Sequence, residues 1–155
     1  MDKTLNQLKT ELEEIATKHK QLESFFFGDF VDAISGDSVN YRLMCVTLQP
    51  ATIGDNFVEV KMIITICDKY NSDSLRQINE IHSDCLSICN DIKIIFRQWR
   101  FKDFMDIDGD ISTNPFINRG HDVTAGWTMT ATANIYSDDN WCAIPMNNYD
   151  FKNDD

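Results

Sequence analysis

GWTMTATANIY, residues 126 to 136, is the stretch that decides the architecture of this chain. Every second residue from Trp127 to Ile135 is apolar, and the residues between them are three threonines and an asparagine. This period of two predicts a β-strand with one buried and one polar face. Threonine combines β propensity with a hydroxyl that bonds across a contact, so the polar face suits either solvent or another protein.

Two further strands are predicted upstream, at residues 39 to 48 and 57 to 67. Both are rich in β-branched and aromatic residues, and the loop QPATIGDN between them indicates an antiparallel pair. The preceding FFFGDFVDAISGDS contains Gly28 and the pair Gly36 and Asp37, which predicts short extended pieces separated by turns.

Two amphipathic helices are predicted from apolar residues spaced by three and four. The first covers residues 2 to 24, and the second follows Ser72 or Asp73, either of which suits an N-cap. The second helix extends towards Trp99, but its end stays open because KIIFRQWRF also suits a strand.

The order of elements predicts an α+β fold in one domain, with a mainly antiparallel sheet whose one face is packed against the helices, a long N-terminal helix and a long central helix. Its predicted parts are the N-terminal helix (1–24), an α+β core (25–136) with an acidic loop (103–123), and an acidic C-terminal arm (137–155). Polar residues, two glycines and a proline indicate the loop.

Composition excludes several classes of protein. The net charge of −11 disfavours wrapping of nucleic acid, and no apolar run reaches the roughly 20 residues of a membrane helix. The N-terminus lacks the features of a secretory signal, so we expect a reducing compartment. Five cysteines without a CxxC pair then suit buried apolar positions better than disulfides.

Candidate reactive groups are few. DIDGDIS fails as a calcium loop from Asp106, because Ile111 and Ile117 occupy its glycine and glutamate positions. A solvated acidic turn is favoured there over the alternative, a weak cation site at Asp106, Asp108 and Asp110. His82, Cys85 and Cys89 share one helix face and offer zinc ligands, but the same face packs the core. We therefore expect no catalytic residue, metal or cofactor, and a surface position for His121.

Charge is segregated along the chain. Lys93, Arg97, Arg100 and Lys102 occur without an acid between them, and aspartates dominate both the acidic loop and the C-terminal arm. The dipole of the central helix explains basic residues at its end. The alternative is a head-to-tail contact between copies, in which these cations meet acids such as Asp138 and Asp139 of a neighbour.

The pieces FGDFVDA, NYRLMCVTL, VEVKMIITICDKYNSDS, AGWTMTATANIY and WCAIP, in this order, resemble a family of virion proteins. The chain is similar, over about residues 25 to 145, to tail-terminator or head-tail connector proteins of tailed phages that infect Bacteroidetes, crAss-like phages included. The acidic insertion DIDGDISTNPFINRGH and the tail after Pro145 have no counterpart there.

The resemblance implies a non-enzymatic virion protein, assembled in the host bacterial cytoplasm. Its partners would be copies of itself in a ring, other neck or tail ring proteins, and genomic DNA that passes through without specific binding. Asp106, Asp108 and Asp110 would line the channel. A cytosolic acidic module that masks a basic partner surface, such as an adaptor or immunity-type protein, is the alternative.

Overall fold

Two thirteen-residue strands form the middle of a six-stranded sheet. β4 (Phe57–Lys69) and β6 (Thr124–Tyr136) pair antiparallel along their whole length. The sequence predictions for these two strands are confirmed, and β4 continues beyond its predicted end at residue 67. The computed structural model describes residues 4–36, 39–71, 75–98, 101, 111–118, 123–136 and 144–145.

Shorter strands complete the sheet. β2 (Leu43–Leu48) pairs antiparallel with β4, and β1 (Ser24–Phe27) joins β2 in parallel. β3 (Thr52–Gly54) pairs with the start of β4, and β5 (Thr113–Asn118) pairs antiparallel with β6. The order β1, β2, β4, β6, β5 confirms a mainly antiparallel sheet and places β1 and β5 at its edges.

Strand β5 lies inside the segment 103 to 123 that the sequence predicts as loop, so that prediction is wrong for residues 113 to 118. Pro115 argues against a strand, yet it lies opposite Trp127 on an edge strand. There its nitrogen faces away from β6, and no ladder hydrogen bond is lost. The predicted loop between β2 and β4 likewise contains β3.

The N-terminal helix is shorter than the predicted 1 to 24. α1 spans Leu5–Lys18, and a capping box fixes its start: Gln7 N donates to Thr4 Oγ1, and Thr4 N donates to Gln7 Oε1 at 2.8 Å. The helix ends before His19, whose extended backbone (φ −73°, ψ 121°) leaves the helical region, and β1 begins at Ser24.

The central helix is the longest element. α3 spans Leu75–Phe96, which resolves the open question of its end. The predicted caps Ser72 and Asp73 lie outside the described residues.

Among the described residues, no helix is both long and apolar enough to cross a bilayer.

Both long helices contribute to one core on one face of the sheet. This arrangement confirms the predicted α+β packing. The fully buried members include Leu8 and Leu12 of α1, Ile88 and Ile92 of α3, Met62, Ile64 and Ile66 of β4, and Met129 of β6.

The opposite face carries a third, short helix, and here the sequence prediction is wrong. α2 (Phe30–Ser35) occupies residues predicted to be extended. The Asp29 side chain caps it by accepting a hydrogen bond from Val31 N at 3.3 Å, a local arrangement that favours helix. Ala33 packs in a second buried cluster with Leu43, Cys45 and Cys67. The helices therefore do not all lie on one side.

Candidate subunit interface

Two of the four predicted interface cations line an open groove between α3 and the β5 end of the sheet. Lys93 is half-buried and Arg97 is exposed. The groove has a volume of about 840 Å³. Its lining combines these cations with apolar and hydroxyl side chains: Leu86, Ser87, Cys89, Asn90, Asp91, Ile111, Thr113 and Met129.

The end of α3 explains the position of both cations. Lys93 lies in the last turn of the helix, and Arg97 N donates to the Lys93 carbonyl at 3.2 Å. A separation of four residues places both side chains on the same side of the helix. The negative end of the helix dipole stabilises them there. Local chain geometry is thus sufficient to bring the pair together.

The groove is amphipathic. Leu86 is 42% exposed, whereas Met129 at the base is almost completely buried. Asp91 also lines the groove, but its carboxylate lies 2.9 Å from His19 Nε2. A segment with both acidic and apolar side chains would complement this groove. Its acids would pair with the two cations, and its apolar side chains would pack against Leu86 and Met129.

The remaining predicted site residues fall outside the described residues. These are the interface cations Arg100 and Lys102, the interface acids Asp138 and Asp139, the channel acids Asp106, Asp108 and Asp110, and also His121. Their roles stay predictions.

The face of α3 that the sequence offers as a zinc site is part of the core. Cys85 and Cys89 are buried, as the packing alternative predicts. His82 Nε2 lies 3.1 Å from the Phe116 carbonyl oxygen, and Trp127 Nε1 donates to the His82 carbonyl at 2.7 Å. Within the described ranges, no group of three or more histidine, cysteine or acidic side chains is arranged to hold a metal.

The four described thiols are in environments that disfavour the reactive thiolate form. Burial raises the pKa of Cys45 to about 11 and the pKa values of Cys85 and Cys89 to about 12. Burial also raises the pKa of Cys67. These thiols therefore stay protonated near neutral pH, which is the unreactive form.

The polar face of β6 is open over much of its length, as its alternation predicts. Thr130 is exposed, and Thr128 and Thr132 are half-buried. Thr130 and Ile63 line a shallow depression of about 390 Å³ together with Lys61 and the loop 49–52. This face is therefore a mixed hydroxyl and apolar surface.

Sequence reasoning misses the ion pairs that fix the end of the sheet against α3. The Arg42 guanidinium lies 3.2 Å from Asp68 and 2.8 Å from Asp84, which places one cation between β4 and α3. The partners are far apart along the chain, so no local pattern indicates them. Arg42 and Asp68 are both half-buried, so their ion pair contributes more to folding stability than an exposed pair does.

A scan of protein-family models finds no match to this chain, and a search of curated proteins finds no sequence match.

Proposed function

We propose that this chain is a structural virion protein that forms a homo-oligomeric ring in the neck or tail of a tailed phage, as a head-tail connector or tail terminator. The observation that carries the proposal is the amphipathic groove beside α3, which Lys93 and Arg97 line in a chain of net charge −11. A basic groove on an acidic chain favours contact with another copy, because each copy also supplies acids.

The neighbour's acidic arm is the proposed occupant of the groove. Residues 137 to 155 contain Asp138 and Asp139 beside apolar residues such as Trp141 and Ile144. This composition matches the groove, in which cations adjoin Leu86 and Met129. Because the donor and acceptor surfaces differ, the contact is heterologous, and repetition closes a ring if the rotation allows.

The surplus acid has a role in the same proposal. Asp106, Asp108 and Asp110 of every copy would face the bore and give it a negative wall that DNA slides past without binding. Repulsion of this kind acts at short range, because salt screens it beyond about 8 to 10 Å.

Charge reversal in the groove is expected to weaken assembly. In the variant Lys93→Glu with Arg97→Glu, like charges would face the neighbour's aspartates, and such juxtapositions oppose association. We expect an apparent dissociation constant raised by about tenfold or more, because each tenfold change needs only about 1.4 kcal/mol. Light scattering after size exclusion, at a series of protein concentrations, measures the change.

A matched control and a rescue make this experiment specific. Lys18→Glu with Arg76→Glu changes the net charge equally at exposed positions away from the groove, so assembly should persist. Adding Asp138→Lys and Asp139→Lys to the groove variant should restore it, since the charges are then exchanged. Equal loss in the control, or no rescue, would contradict the proposed contact.

The virion assignment has its own test. Quantitative mass spectrometry of purified particles of the encoding phage should detect peptides of this chain in a small, fixed ratio to the capsid protein. Detection only in the infected-cell lysate, together with a monomer that binds a basic protein, would instead indicate the masking module.

A further inference from the structure

Among the described residues, the outer edge of β6 has no strand partner over its last residues. β5 pairs with β6 only from Thr124 to Met129, and Thr130 N donates to the Ser112 carbonyl at 3.3 Å just beyond this segment. Because backbone groups alternate between the two sides of a strand, the N–H and C=O groups of Thr132, Asn134 and Tyr136 point to the same side as those of Thr130. Among the described residues, none bonds to them on that side.

A hydrogen bond on the other side of β4 independently gives the same direction for the Thr132 backbone groups. Gln49 N donates to the Lys61 carbonyl at 2.8 Å, so the backbone groups of Lys61 point away from β6. Lys61 lies opposite Thr132. Lys61 and Thr132 are therefore a non-hydrogen-bonded pair. In an antiparallel ladder the backbone N–H and C=O groups of both members of such a pair point away from each other, which places the Thr132 groups on the free edge.

Within the described part of the chain, a second edge without a strand partner lies on the far side of the sheet. Ser24 N donates to the Arg42 carbonyl, and Gly28 N donates to the Val46 carbonyl at 2.9 Å, so the even-numbered residues of β1 point towards β2. The backbone groups of Phe25 and Phe27 therefore point outward. No described residue hydrogen-bonds to them.

We propose that β1 of one copy adds to the free edge of β6 in the next copy, and so continues the sheet across the subunit contact. The gap beside β6 is short, because Ser112 closes one end and β6 ends at Tyr136. β1 has only four residues, Ser24–Phe27, and fits a gap of this length. Backbone hydrogen bonds supply the affinity in strand addition of this kind.

Head-to-tail pairing is favoured over pairing of two identical β6 edges. A two-fold β6 contact would stop at two copies and leave both β1 edges open, whereas the head-to-tail contact covers the β1 edge and the last residues of β6 in every copy. Unprotected strand edges are a liability that proteins avoid. The inference deepens the proposed function and rests on its self-assembly, since a heterologous contact is the type that closes rings.

A proline substitution at the free edge of β6 tests whether β1 of the next copy pairs there. Asn134→Pro removes an outward N–H without removing a β4 ladder bond, and we expect the apparent dissociation constant of assembly to rise by about tenfold. The matched control is Ile117→Pro, on the edge strand that already contains the outward-facing Pro115. It should assemble as the unmodified chain does. Thermal melts monitored by circular dichroism establish that both variants are folded.

Cross-linking tests the identity of the strand without a proline. In a Cys142→Ser background, Ser24→Cys and Asn134→Cys place thiols on β1 and β6, whereas the described native thiols are buried. A short bis-maleimide should join the two variants when they are mixed and should leave each variant alone largely unlinked. Strong linking of the Asn134→Cys variant to itself would instead reveal the two-fold contact and overturn the proposal.

The outcomes separate the two proposals. If the unmodified chain assembles beyond a dimer but Asn134→Pro assembles equally well, the edge inference is wrong and the ring proposal stands. If the unmodified chain stays monomeric at every concentration, the ring proposal fails and the edge contact fails with it.

Discussion

Replacing Gly126 by alanine is expected to destabilise the fold by about 3 kcal/mol, near the upper end of the usual cost of overpacking. A Cβ atom at this position would lie 2.0 Å from the Ile66 carbonyl oxygen and 2.8 Å from the Cys67 Cα atom. Both obstacles are backbone in β4, so neither can rotate aside. The two central strands would have to separate locally, and urea unfolding would show a lower midpoint.

Gly54→Ala is the matched control for this substitution. A Cβ atom there would come within 2.5 Å of the Phe57 ring, which belongs to a side chain that can turn away. We therefore expect a loss below about 1 kcal/mol, comparable to an off-rotamer side chain. If Gly126→Ala were as stable as Gly54→Ala, the close approach of β6 to β4 would be wrong.

Ile64→Ala is expected to cost about 4 kcal/mol, because removing a large buried aliphatic side chain loses its transfer free energy and leaves a cavity. Ile64 is fully buried in β4, between Val46 of β2 and Met129 of β6. The long helices cover the same face and limit how far the site can collapse. Chemical unfolding with a two-state fit measures the loss.

Ile53→Ala provides the corresponding control. Ile53 is 83% exposed in β3, so the same deletion removes little buried surface. Surface substitutions of this kind usually change stability by at most about 0.5 kcal/mol. Equal losses at the two positions would contradict the assignment of the core to the helical face of the sheet.

The main elements of the fold could be predicted because their patterns are long. Alternation over residues 126 to 136 identified β6, and apolar steps of three and four identified α1 and α3. Short elements were missed where a local signal was ambiguous. β5 contains a proline that its edge position tolerates, and α2 depends on a single Asp29 cap.

The candidate interface could be predicted only in part. Charge segregation indicates Lys93 and Arg97, since two residues four apart at the end of a helix lie on the same side of it in any fold. The groove itself could not be foreseen, because Thr113 and Met129 reach it from other strands. The free edge of β6 was equally hidden, since it exists only where β5 stops short of the end of β6.

Native mass spectrometry of the purified chain over a concentration series tests whether copies of this chain assemble head to tail. We expect a discrete, closed oligomer of three or more copies, with few open intermediates, because each head-to-tail contact is the same. A monomer at all concentrations, or a species that stops at two copies, would contradict it.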